Sequence, residues 1–186
     1  MLALNHGMPR GGVFALLALA ACDTTPTVGG HHQPPPAVCA PADQWRGVRT
    51  LAVCPPDNWT NDLRLQYTNW FRAVIASYLQ GKGYEFVPQV VLNRSMTKWK
   101  FTLAGELGLF KPAELCAEWK CDALIYWSIL NENRLAFACV KADGTTLWAT
   151  GERVLVPVYK IVGEDRRRIF GVAIGECLRD FPGRIP

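Results

Sequence analysis

Cysteine is the residue type in this chain best placed to do chemistry, with seven in 186 residues at positions 22, 39, 54, 116, 121, 139 and 177. Cys22 stands apart, because it follows Leu19-Ala20-Ala21, the close of an apolar run that begins at Val13 behind Arg10. A positive flank, a short apolar run and small residues before a cut compose a secretory signal. The remaining six, Cys39, Cys54, Cys116, Cys121, Cys139 and Cys177, then enter an oxidising compartment as an even set. At least one disulfide is expected among them, and a cross-link that closes a long loop contributes about 2–4 kcal/mol. Spacing alone does not choose the connectivity. Buried thiols packed as small hydrophobes are the competing reading, above all for Cys54, Cys121 and Cys139, which lie in or beside apolar runs. No metal site is expected: Cys116 and Cys121 lack a second pair of the same spacing and lack histidines at ligand distance.

Other catalytic chemistries find little support. His6 leaves with the signal and His31 and His32 fall in a Pro-rich stretch, so the domain after residue 46 holds no histidine, which removes Ser-His-Asp, Cys-His and zinc-protease arrangements. Ser77, Ser95 and Ser128 lie in no nucleophile elbow. Gly81-Lys82-Gly83 follows a helix and lacks a third glycine, so it is no phosphate cradle and no nucleotide cofactor is expected. Glu114 and Glu118, one helical turn apart, have the types of a carboxylate acid–base pair, but two solvated glutamates are the preferred reading. Asp122 reads as a turn or capping carboxylate. The net charge of +4 is mild, and Arg166-Arg167-Arg168 is offset by Glu164-Asp165, which argues against a nucleic-acid partner. Seven tryptophans leave a surplus beyond a core of this size; Trp59 and Trp99 are the candidates for exposed, partner-binding anchors, the alternative being that they close the edges of the core.

These residues must be held by a domain of about 140 residues. Asp23 to Trp45, rich in Pro, Thr and Gly, cannot bury enough surface to offset its ordering entropy and reads as a tether over 22–45, behind a signal over 1–21 and ahead of a domain over 46–186. Gly47 to Cys54, stopped by Pro55-Pro56, predicts a buried strand. Leu63, Tyr67, Trp70, Phe71, Val74, Tyr78 and Leu79 form one helical stripe, with Asn61 as N-cap and Gly81 or Gly83 as terminator. A strand over Tyr84 to Val87 follows, then a helix and a loop between Val90 and Leu109, and a helix from Pro112 to Trp119. Ala123 to Leu130 predicts a central strand, and Arg134–Lys141 and Thr146–Glu152 a hairpin around Asp143-Gly144. Val154 to Val162 is β-prone, but Pro157 confines it to an edge or a loop. Phe170, Ala173, Ile174, Cys177, Leu178 and Phe181 mark a last helix, closed by Pro182-Gly183. The order predicts an α/β fold: a mixed β-sheet of about five strands packed against three to four helices.

Leu19-Ala20-Ala21-Cys22 resembles the lipobox of bacterial lipoproteins, and the resemblance implies that Cys22 becomes the acylated first residue of the mature chain. An uncleaved span is a poor alternative, since Val13 to Ala21 is far short of the roughly 20 residues a membrane helix needs; Met8-Pro9-Arg10 offers an alternative start with a more compact flank. Further motifs extend the likeness: the strand ending in Pro55-Pro56, Gly83-Tyr84-Glu85-Phe86-Val87-Pro88 after a helix, Cys121-Asp122-Ala123-Leu124-Ile125-Tyr126, and Ala142-Asp143-Gly144-Thr145-Thr146-Leu147-Trp148. Together they resemble small envelope lipoproteins whose domain is like the amino-terminal domain of TolB, among them the curli-secretion lipoprotein, PelC and the activator of peptidoglycan synthases. Lys120-Cys121-Asp122 departs from the Gly-Ala-Asp usual in such relatives. The resemblance implies a non-catalytic adaptor or assembly factor, held to the membrane by lipid on Cys22, facing the periplasm, with an envelope protein partner and scope for oligomerisation. A periplasmic small-molecule or glycan-binding lipoprotein is the competing reading; an aromatic-lined concavity would favour it.

Overall fold

The computed structural model describes residues 38–56, 65–100, 106–131, 134–150, 153–154 and 164–185. The signal, Cys22, Trp59, Asn61 and most of the Val154–Val162 stretch lie outside them. Among the described residues seven strands form one mixed sheet: β1 (Val38–Cys39), β2 (Thr50–Val53), β3 (Glu85–Phe86), β4 (Ala123–Asn131), β5 (Arg134–Lys141), β6 (Thr146–Ala149) and β7 (Arg153–Val154). Their spatial order is β1-β6-β5-β4-β2-β3, with β7 also on β5. β2 runs parallel to β3 and β4, and every other pairing is antiparallel. Four helices, α1 (Leu65–Gln80), α2 (Gln89–Lys98), α3 (Pro112–Trp119) and α4 (Glu164–Leu178), accompany it, and short 3-10 turns occupy Ala42–Trp45 and Glu106–Leu109. The fold is thus the expected α/β class with a mixed sheet, and the two strands beyond five are the two-residue pieces β1 and β7.

Period-two alternation on β2 and β4 builds a core on each face of the sheet. Leu51, Val53, Ala123, Ile125 and Trp127 point into the larger one with Phe71, Ile75 and Leu79 of α1 and Phe170, Ile174 and Leu178 of α4. Ala52, Cys54 and Leu124 point into the smaller one with Leu92 of α2 and Leu115, Cys116 and Trp119 of α3. Strands with helices on both faces must be apolar on both, which is why β4 reads as a near-continuous apolar run broken only by Ser128 before its last residue.

The buried face of α1 keeps Phe71 and Leu79 of the predicted stripe, with Trp70 and Val74 partly buried against the same core, and adds Ile75. Phe71, Ile75 and Leu79 meet the sheet, whereas Tyr78 is among the exposed residues. The helix has two neighbours, and Tyr78 serves the second: a Cβ on Gly175 of α4 would come within 3.3 Å of the Tyr78 ring, so the two helices approach closely there because position 175 carries no side chain.

The sheet also begins before the boundary expected at residue 46. Val38 and Cys39 pair with Ala149 and Trp148, and the Ala40 N–H donates to the Leu147 carbonyl at 2.7 Å. Trp45 is 1% exposed and meets Phe181 edge-on at 5.3 Å. One tryptophan body supplies enough buried surface to order the polar stretch around it, so the segment read as tether over 22–45 contributes its last residues to the domain.

Of the strand expected over Thr146 to Glu152, Thr146–Ala149 forms β6, and residues 151–152 lie outside the described residues. Its pairing with β5 shifts register between Cys139 and Val140. Just past β6, Thr150 still holds β5: its N–H donates to the Phe137 carbonyl at 2.9 Å, and its hydroxyl accepts the Phe137 N–H at 2.9 Å, in a fully buried position. Thr150→Val, nearly isosteric, strands the Phe137 N–H in the core. Urea unfolding is expected to show a loss of about 2 kcal/mol, and a midpoint equal to wild type would remove this account of Thr150.

Candidate functional site

In open α/β sheets ligands usually lodge beyond the carboxyl ends of parallel strands. At that end of β2 the polar groups are already engaged. The Val53 carbonyl accepts from Arg72 Nε at 3.1 Å, the Cys54 carbonyl accepts from Trp127 Nε1 at 2.7 Å, and the Cys54 N–H donates to Ile125 at 2.9 Å. Arg72 is 1% exposed, and its Nη1 donates to Asn93 Oδ1 of α2 at 2.8 Å. Burial lowers its pKa to about 10, so the guanidinium stays charged at neutral pH. A cation that joins α1, β2 and α2 through neutral oxygens is a strut for this end of the sheet. The sequence reading missed it, although a signal was present: Arg72 is the one charged residue of α1.

Each candidate carboxylate has a structural partner. Asp122 Oδ2 accepts the Arg49 and Thr50 N–H groups at 2.9 and 2.8 Å, while its own N–H donates to the Thr50 carbonyl at 2.8 Å, fastening the start of β2 to that of β4. Glu114 Oε2 accepts the Lys111 N–H at 2.8 Å and closes the first turn of α3, one of the orphan donors of a helix start. Glu118 Oε1 takes Lys98 Nζ at 3.1 Å and the Ser95 hydroxyl at 3.2 Å, joining α3 to α2. Glu114 and Glu118 therefore serve opposite ends of α3 rather than one reaction centre.

Trp99 is half-buried over the smaller core, stacked on Phe110 at 4.8 Å with 26° between the rings, and 6.0 Å from Trp119. It closes the edge of that core, the second of the two roles the sequence offered. The apolar surface at this end of the molecule is carried instead by Leu109, 82% exposed and adjacent to Phe110 in the chain.

None of the six described cysteines is disulfide-bonded in this structure, so the expected cross-link is not among its contacts. The layering explains much of this. Cys139 and Cys177 lie in the larger core and Cys54, Cys116 and Cys121 in the smaller, with the sheet between the two sets, while Cys39 is exposed on the edge strand β1. Among the described residues no group of histidine, cysteine and carboxylate side chains could hold a metal ion, and no helix is long and apolar enough to cross a membrane.

The chain is similar to the lipoprotein GNA1162 from Neisseria meningitidis, at 19% identity over 71% of this chain and 97% of that one, with a TM-score of 0.54. It is also similar to a PelC dodecamer from Paraburkholderia phytofirmans, at 14% identity over 76% of this chain and 91% of that one, with a TM-score of 0.47. No protein-family model and no curated protein matches the sequence. At this level of identity the likeness to GNA1162 is one of fold: the domain has the α/β architecture of a known lipoprotein.

Proposed function

We propose that this chain is a lipid-anchored, non-catalytic protein of the bacterial cell envelope, facing the periplasm. Its TolB amino-terminal-like domain acts as an adaptor or assembly factor in a transport, secretion or wall-synthesis complex. The observation that carries the reading is the Leu19-Ala20-Ala21-Cys22 junction ahead of a domain with a lipoprotein's fold. The structural engagement of Asp122, Glu114 and Glu118 supports it. The glycan- or small-molecule-binding alternative is less favoured, because Arg72 and Trp127 occupy the strand ends where such a ligand would sit. Partner recognition falls to Trp59 and to the surface around Trp99 and Leu109.

The test is crosslinking in cells followed by capture on the tagged, lipidated protein. Leu109→Asp changes a side chain that makes little of the core, and it is expected to cut capture of the partner by about thirtyfold, as for a hot spot of about 2 kcal/mol, with the melting temperature unchanged. Trp59→Ala is expected to act in the same direction. If both capture as wild type does, while Glu114→Gln or Glu118→Gln folds normally and abolishes the cellular phenotype, a catalytic role replaces the adaptor reading.

A further inference from the structure

Helix α3 ends in a turn that brings two sulfur atoms together. Lys120 adopts a left-handed conformation, φ 53° and ψ 50°, and its N–H donates to the Cys116 carbonyl. The Cys121 N–H donates to the same carbonyl at 3.1 Å. This is the six-to-one closure of a Schellman turn, in which the residue after the left-handed one packs back on the helix's last turn. Here those two residues are both cysteines, and their thiols hydrogen-bond to one another. With that N–H 3.1 Å from that carbonyl, standard bond lengths keep the two α-carbons within about 7 Å, the upper limit for a disulfide.

We propose that Cys116 and Cys121 are a redox pair that closes to a disulfide when the protein meets an oxidising disulfide. The turn holds the pair in place through the backbone, with the two α-carbons within a disulfide's reach. The neighbouring Cys54 is fully buried at the end of β2, and Cys139 and Cys177 lie across the sheet in the larger core.

The contact between the two thiols orders the chemistry of the pair. A proton shared between them favours a single thiolate, lowering Cys116 and raising Cys121, so the pair loses its protons one at a time. The first thiolate of the pair attacks one sulfur of the oxidant's disulfide, forming a mixed disulfide and expelling one thiolate. The second thiol then gives its proton to solvent, attacks the pair's own sulfur in the mixed disulfide and expels the second thiolate. The pair loses two protons and two electrons, and the oxidant's disulfide becomes two thiols.

The pairing rests on the turn geometry, and its occurrence in cells rests on the export reading. Reduced full-length protein is therefore equilibrated with mixtures of reduced and oxidised glutathione, alkylated in denaturant and digested with trypsin, which cuts after Lys120 between the two cysteines. The expected result is loss of alkylation at Cys116 and Cys121 together, with two peptides that separate only on reduction. Cys116→Ser and Cys121→Ser each abolish the link, and Cys54→Ala retains it. Alkylation of both thiols at every glutathione ratio, or a link through Cys54 instead, overturns the proposal. A pair that closes in glutathione but is recovered reduced from cells upholds the pairing and counts against export alone.

Discussion

Cys22→Ser is expected to move the protein from the membrane fraction to the soluble envelope fraction. Acyl chains contribute about 0.8 kcal/mol per buried methylene, and one chain holds only marginally, so stable attachment requires more than one chain on the same residue. Serine carries no thiol to receive the diacylglyceryl group, which removes the whole anchor rather than part of it. Fractionation with and without detergent reads the outcome, and mass spectrometry of the mature amino terminus reads the lipid itself. A variant that still pellets with membranes as wild type does, with no lipid on residue 22, would sink the lipoprotein assignment. Asp23, which follows Cys22, resembles an inner-membrane retention signal of some bacteria, and the same fractionation on a density gradient tells inner from outer membrane.

The largest loss of stability is expected for Arg72→Ala. The substitution removes two charge-assisted hydrogen bonds, leaves the Val53 carbonyl and Asn93 Oδ1 unpaired, and opens a space between α1, β2 and α2. Charge-assisted bonds contribute about 1.5–3 kcal/mol each, and relief of the arginine's desolvation offsets part of that, so the net loss is about 3 kcal/mol. Arg72→Met keeps most of the volume and separates the two causes: it is expected to lose about half as much. Urea unfolding measures both variants. An alanine variant within about 1 kcal/mol of wild type would mean that the guanidinium is not the strut described.

Elements whose signal is local were legible in the sequence. Helix α3 runs Pro112–Trp119, as Pro112 and the apolar Leu115, Cys116 and Trp119 indicated. The apolar run of β4 and the Asp143-Gly144 hairpin were likewise found, the turn with Gly144 at φ +86° and the Thr145 N–H on Asp143 Oδ1 at 2.8 Å. What was missed depends on neighbours distant in the chain. Nothing in Val38-Cys39 marks a strand until β6 lies beside it, and the register shift between Cys139 and Val140 exists only once β5 and β6 pair. That α1 meets α4 through Tyr78 over Gly175 depends on a partner far along the chain, which periodicity within the helix cannot contain. The candidate site divides the same way. Asp122 is legible as a turn or capping group from position alone, whereas Glu114, which reads there as a solvated glutamate, closes the first turn of α3, and Arg72 acquires its role only when β2 and α2 converge on it.

The alternation of β2 and β4 between two cores also limits how this gene can vary in length. Removing or adding one residue within β4 would turn Trp127 toward the smaller core and Tyr126 toward the larger, reversing the sidedness of every position downstream until the hairpin. A strand with one solvated face could hide such a slip by exposing a polar side, but here neither face is spare. Insertions and deletions are thereby channelled to connections such as Ala142 to Thr145, where the chain is exposed or half-exposed and no sidedness has to be kept.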